Sequence, residues 1–474
     1  YTFEGDIGSS ANKVDTIKVG ATTTNTAATL EGNVYATAIN IADGAGGADT
    51  NSVTFGADTK TTVVEGVITG VDANDANTLA VAGGATVTFK SNVATGVDTI
   101  TLGADNKNTT VTFEGKIESG AITVGAGAGN ADTNVVNIGS ATEDITLGGI
   151  VDSAVAQDDN TLNFVGTKTI TTGGDIGGSS DFDLIDIAAS TTVDVQHNVN
   201  ATTIKLNSGS ELKVTAAKTL GADIEGGSGT LNIDENTTVE GSIGKTTALS
   251  ALTVAEGKTL TIDGNADTED ITVQAATITL EDDDAGTDDS SDSKIVLTSD
   301  DTKTVTVKNQ ISTGDNGRGL IDVTDTTGTV TFEANIGQSG GAIETLTVTA
   351  GAKAATVEAK GDIWAGSTVL GQADTLKFLG TTQAVSGTIT SASDTGTTIE
   401  VGDGANVTPT VTFVGAVGGA NVGATSLDTV NVKAGSTAIF AENSSLDTSL
   451  INDGTVRINQ GKALDIEAFA AGTA

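Results

Sequence analysis

TFEGKIESGAITVGAGAGNADTNVVNIG, residues Thr112 to Gly139, is the stretch whose reading decides the fold. An earlier copy, TLEGNVYATAINIADGAGGADTNSVTFG, runs from Thr29 to Gly56, and every identity between the two falls at one fixed offset without a gap. Thr29 matches Thr112, Glu31-Gly32 matches Glu114-Gly115, Ala38-Ile39 matches Ala121-Ile122, and Ala48-Asp49-Thr50-Asn51 matches Ala131-Asp132-Thr133-Asn134. Self-similarity at a fixed offset marks repeat architectures, in which each unit buries its apolar side only against its neighbours.

Two local patterns alternate along the chain. One is T-h-x-F-x-G with h apolar, as in Thr110–Gly115, Thr161–Gly166, Thr375–Gly380 and Thr410–Gly415; the other is a short apolar alternation closed by Ala or Gly, as in Ala121–Gly125, Thr345–Gly351 and Thr429–Gly435. Both have period two and end on Gly, so both read as half-buried strands. No window carries a helical period with caps. Phe3, Leu30, Phe55, Phe89, Phe113, Ile138 and Phe164 form a series of bulky anchors, most about 25 residues apart. The longer step from Phe55 to Phe89 is assigned to a polar loop at Val71–Asn77. Between Asp181 and Asp270 the coils are expected to shorten. Thr329–Gly337 (TVTFEANIG) echoes Thr410–Gly418 (TVTFVGAVG) at a distance expected to equal about three coils. The expected fold is therefore all-β, a right-handed parallel β-helix with coils of about 25 residues, continuous over 1–474. Inward Val, Ile and Leu should stack in columns, with Phe113 beside Phe89 and Ile138, and Gly and Asn at corners.

Composition bounds the partners. The chain carries 62 Asp and Glu against 22 Lys and Arg, a formal net charge of −40. That sign repels nucleic acid and anionic lipid. It favours solubility, attraction of divalent cations, or high salt. Cysteine is absent, which excludes disulfides and thiolate metal sites. No apolar run has the length of a transmembrane helix. Methionine is absent even at position 1, so the chain is expected to begin after processing or within a longer precursor. Its ends, which start and stop in mid-pattern, are expected to have been cut from, or to stack onto, something longer.

The alternation of TVTFEG-like and LTVTAG-like strands resembles the passenger regions of bacterial autotransporters, in particular the large rickettsial surface-layer autotransporters. That resemblance implies a right-handed parallel β-helix on a cell surface, acting as a coat or adhesin. The membrane barrel of that family has no counterpart in this sequence.

Candidate chemistry is sparse. His197 is the only histidine, and no G-x-S-x-G element accompanies it, so it reads as a surface residue. Asp315 and Arg318 are the one enzyme-like pair, on the analogy of lyases that combine carboxylate-bound Ca²⁺ with a basic residue; a solvated turn is the simpler reading. Catalysis is not expected. Glu281–Asp292, EDDDAGTDDSSD, reads as an acidic loop or insertion (281–292) with nothing facing a core. Its Asp282, Asp283, Asp284, Asp288, Asp289 and Asp292 are the candidate Ca²⁺ ligands, since that cation takes six to eight oxygens. The spacing matches no EF-hand and no G-G-x-G-x-D repeat. Gly125–Gly129, repeated at Gly44–Gly47, reads as a solenoid turn. Thr-rich strands such as Thr302–Val307 raise ice binding, but the pattern reads as too irregular to keep Thr in register. Trp364 and Tyr35 read as too isolated for a sugar-stacking platform.

The expected function is an extracellular, cell-surface structural protein that self-assembles into a coat, an S-layer-like lattice or a fibre, with copies of itself as partners. The alternatives are a monomeric adhesin stalk that contacts cell-surface glycans and, remotely, a polysaccharide lyase.

Overall fold

The computed structural model describes residues 1–20, 25–41, 49–71, 76–103, 107–125, 132–154, 159–264, 269–281, 292–299, 303–314, 317–324, 328–349, 354–392, 396–418 and 427–471. Among them there is no helix. The chain divides into two compact units, Tyr1–Thr230 and Leu231–Ala474.

In the first unit each coil lays strands onto parallel ladders. One ladder runs through Thr2–Phe3, Thr26–Leu30, Thr50–Phe55, Ala76–Val81, Thr99–Leu102, Ala121–Val124 and Ile150–Ser153. A second joins Val64, Phe89, Phe113, Ile138, Phe164 and Ile187. A third passes as single bridges through Ile68, Val93, Ile117 and Leu147, then widens into Thr169–Thr172, Thr192–Val195 and Glu211–Val214. This is a parallel β-helix. The alternation follows from the pleat: in Thr109–Phe113, Val111 and Phe113 are buried while Thr110 and Thr112 look outward. Burying each such Val, Ile or Phe is worth about 1.5–3 kcal/mol. Phe113 sits between Phe89 and Ile138 in register, as the periodicity implies. The coils do shorten after Asp181, with Ile187 pairing to Leu206, 19 residues on.

The second unit repeats the construction. One ladder links Thr304–Val307, Thr329–Phe332, Thr356–Ala359, Thr375–Phe378 and Thr398–Val401. Another links Lys294–Thr298, Leu320–Thr324, Ile343–Thr349, Ala365–Leu370 and Thr388–Ser391. The third runs Ile311, Ile336, Ile363, Val385, Phe413 and Phe440. Both units hold the same three-ring cluster. Phe55 meets Phe89 edge-on at 5.4 Å and Phe89 stacks on Phe113 at 5.0 Å; Phe378 meets Phe413 edge-on at 5.6 Å and Phe413 stacks on Phe440 at 5.3 Å. In each cluster one contact crosses the core and the other follows a ladder, both geometries that aromatic quadrupoles favour.

Several corners share one short element, an apolar residue (Thr172 in one case) followed three positions later by Asn or Asp and then by Ile or Val. Asn33 donates its backbone N–H to Asp6 Oδ1 (2.8 Å), and Asn33 Oδ1 in turn accepts from Val63 N (2.9 Å). Asn92 accepts from Lys116 N, Asp175 from Asn198 N, Asn198 from Thr219 N, Asn335 from Asp362 N and Asp362 from Ala384 N, all at 2.8–3.1 Å. The side chain thus serves a backbone donor where the ladder bends. The small residue beside it permits contact between coils: a Cβ on Gly361 would lie 2.4 Å from the Ala334 carbonyl carbon.

This element corrects two sequence readings. Phe3, Leu30 and Phe55 belong to one ladder, whereas Phe89, Phe113, Ile138 and Phe164 belong to the next. The long step from Phe55 to Phe89 is therefore a coil plus a change of face, not a coil enlarged by a loop. Likewise Leu30 and Phe113, equivalent in the two 28-residue copies, lie on different faces. Their offset corresponds to about three and a third coils rather than three. Phe332 and Phe413 repeat the relation, since Phe413 continues the ladder of Ile336.

Candidate functional site

The side chains singled out by sequence fall in separate places. His197 lies at a corner of the first unit, half-buried, with Nδ1 3.8 Å from Asp175 Oδ1. Tyr35 points outward beside a register shift between strands Val34–Ile41 and Thr61–Gly70. Gly125 takes a left-handed φ of 73°, as a turn requires, and the rest of Gly125–Gly129 and all of Gly44–Gly47 lie outside the described residues. Asp282, Asp283, Asp284, Asp288, Asp289 and Asp315 lie there too. Among the described residues no group of three or more His, Asp or Glu could hold a metal ion.

Asp292 departs from the expectation that nothing in the acidic segment faces a core. Its side chain is 1% exposed, and the guanidinium of Arg318, whose side chain is 13% exposed, lies 3.5 Å away. Neither Asp292 carboxylate oxygen has a hydrogen-bond partner, and the neighbouring Ser293 hydroxyl is also buried without one. Asp292 lies two residues ahead of the strand Lys294–Thr298 and Arg318 two residues ahead of Leu320–Thr324, and these strands are paired with Lys294 opposite Leu320. Parallel register therefore stacks the acid and the base on adjacent coils, and the parallel ladder, not sequence proximity, chooses the partner.

A shallow groove of about 350 Å³ opens beside this pair, lined by Gly317, Gln338, Gly340, Ala342, Trp364, Ala365, Gly366, Ser386 and Gly387. Trp364, the chain's one tryptophan, follows the inward Ile363 and so points outward, half-buried. Its backbone is held by the preceding coil, donating to Ile336 O (2.7 Å) and accepting from Ile343 N (2.9 Å). Gln338 stands on a tight turn closed by reciprocal backbone hydrogen bonds with Gly341, and its Oε1 accepts from Gln310 Nε2 at 3.5 Å. The glycines have backbone causes: a Cβ on Gly387 would come 2.1 Å from Ala365 O, and Gly340 has φ 88°. The result is nonetheless a wall made mainly of Gly and Ala in front of an indole.

The outward positions of the first unit form uncharged columns. Thr29, Thr54, Ala80, Thr101 and Thr123 are in register, beside Ala27, Ser52, Thr78, Thr99 and Ala121; the run ends at Asp152. The next face carries Thr61, Thr86, Thr110, Val135 and Thr161 beside Val63, Thr88, Thr112, Asn137 and Asn163, ending at Asp186. Register there is longer than the irregular spacing suggested. In the second unit Thr304 and Thr306 pair with Thr329 and Thr331, and the column then meets Glu358.

Charge elsewhere is arranged between coils. Glu65 lies between Lys13 (3.1 Å) and Lys90 (3.6 Å), and the Lys13 hydrogen bond holds its carboxyl below the ordinary value. Asp403 Oδ1 accepts from the backbone N–H groups of Ala405, Asn406 and Val407, which lowers its pKa to about 2. No family model, curated protein or solved structure matches the chain.

Proposed function

We propose that the chain is a structural repeat protein of a cell surface, exported in the manner of the autotransporter passengers it resembles, that packs with copies of itself into a coat, lattice or fibre. The observation that carries this reading is the pair of uncharged, Thr-rich columns in the first unit. A chain of net charge −40 repels its own copies. Two such chains meet at least electrostatic cost where no carboxylate points outward, and each uncharged face extends over five coils, about 24 Å at strand spacing. Divalent cations such as Ca²⁺, or high salt, would screen the remaining acids. The reading requires no catalysis.

Electron microscopy and sedimentation in Ca²⁺, and then in chelator, test it. Ordered sheets or filaments that dissolve on chelation support assembly. Thr101→Asp, which places a carboxylate in the middle of one face, should abolish the order while leaving circular dichroism unchanged. Isolated particles under every salt and cation condition would overturn the proposal and leave the monomeric adhesin, for which the Trp364 groove is the favouring observation.

A further inference from the structure

We infer that the groove over Trp364 is a binding site for a neutral pyranose at the end of, or within, a glycan. The inference is independent of self-assembly and adds a recognition function to the second unit.

Four observations converge on this ligand class. First, the indole is the only tryptophan, and it is placed outward at a corner while the Phe side chains of the described core are fully buried. Its backbone N–H and carbonyl are both hydrogen-bonded to the preceding coil, so the ring stands on a fixed base. Second, the space before it is bounded by Gly317, Gly340, Gly366 and Gly387, leaving room for a ring to lie against the indole. Third, none of the lining residues is charged, in a chain of net charge −40. An acidic sugar gains no cationic partner from the lining. A quaternary ammonium group would need several aromatic walls or an adjacent acid, and the lining offers one ring. Fourth, the exposed Gln338 supplies amide donor and acceptor capacity at the rim, where the equatorial hydroxyls of a stacked pyranose project. An apolar platform with a few polar groups at its edge is the general form of a small-molecule site. A pyranose matches it, presenting C–H groups on one face and hydroxyls around its edge.

The sequence concealed the site because its walls come from four successive coils, at residues 317, 338–342, 364–366 and 386–387. Trp364 is isolated along the chain and flanked in space.

The sole tryptophan makes intrinsic fluorescence a reporter of this one site. The full chain should be titrated with neutral oligosaccharides ending in glucose, galactose, mannose or N-acetylglucosamine. At least one should give a saturable emission change with a millimolar dissociation constant and protect the indole from acrylamide quenching. Saturation-transfer NMR on the same saccharide should show the ring C–H protons, rather than the hydroxyl-bearing edge, closest to the protein. By that readout Trp364→Ala should weaken binding at least about tenfold, Trp364→Phe less, and Gln338→Ala several-fold. Unchanged circular dichroism and thermal midpoint would confirm that these variants keep their fold. No saturable response to any neutral saccharide at about 100 mM, undiminished binding in Trp364→Ala, or a response confined to quaternary ammonium compounds would overturn the inference.

Discussion

Replacing Arg318 with Met removes the charge beside a carboxylate that has nowhere to go. Opposite unit charges 3.5 Å apart attract by roughly 5 kcal/mol at an effective dielectric constant of about 20. Withdrawing each ion from water costs several kcal/mol, so the intact pair is near break-even. The variant keeps the desolvation of Asp292, only 1% exposed, and loses the compensation, which should cost about 3–5 kcal/mol. A repeat array opens piecewise, so a single global unfolding free energy is the wrong measure. Native-state hydrogen exchange at Lys294–Thr298 and Leu320–Thr324 is the right one. Exchange there should accelerate by roughly 100- to 5000-fold at pH 8, since about 1.4 kcal/mol is a factor of ten. Adding Asp292→Leu to the variant should restore protection to within about 1 kcal/mol of the parent, since an apolar pair can replace a buried ionic one. If Arg318→Met alone changes exchange by less than about 1 kcal/mol, the burial argument is wrong and the pair is solvated.

Other consequences can be checked with similar tools. Val111→Asp puts an unpaired charge into a fully buried column and should cost several kcal/mol, read as loss of protection in Thr109–Phe113 and Thr133–Ile138. Asp362→Leu removes the acceptor for Ala384 N and should cost about 1–3 kcal/mol, with Ala384 among the first amides to exchange. Asp403 has its pKa lowered from 3.8 to about 2 in the folded chain, so its stabilising contribution is complete above pH 4 and is lost as the pH falls toward 2. The amides of Ala405, Asn406 and Val407 should lose protection across that window in the parent, whereas Asp403→Asn should show weaker protection with no such step.

The strand pattern was legible because the pleat leaves a period-two trace that no other element leaves. Thr110-Val111-Thr112-Phe113 could scarcely be read otherwise, and the stacking of Phe113 on Phe89 followed from a step close to one coil. Phase around the coil was not legible. The same Asx-bearing corner serves Leu30-Glu31-Gly32-Asn33-Val34 and Phe89-Lys90-Ser91-Asn92-Val93 on different faces, so sequence identity alone does not say which face is meant. Site geometry was hidden for a related reason. Asp292 and Arg318 come together through ladder register, and the walls before Trp364 are mainly Gly and Ala, residue types that carry little signal of a site in sequence.

The interchangeable corner has a genetic consequence. A duplicated segment of three and a third turns does not superpose on its parent when the chain winds on; it arrives a third of a revolution further round. Any feature carried by the segment, whether a hydroxyl row or a loop, therefore advances like the thread of a screw. Duplication in such a gene disperses a useful surface around the axis instead of lengthening it along one side. A partner that recognised the motif would have to approach successive copies from directions about 120° apart, whereas lengthening a single face would require insertions of one whole coil.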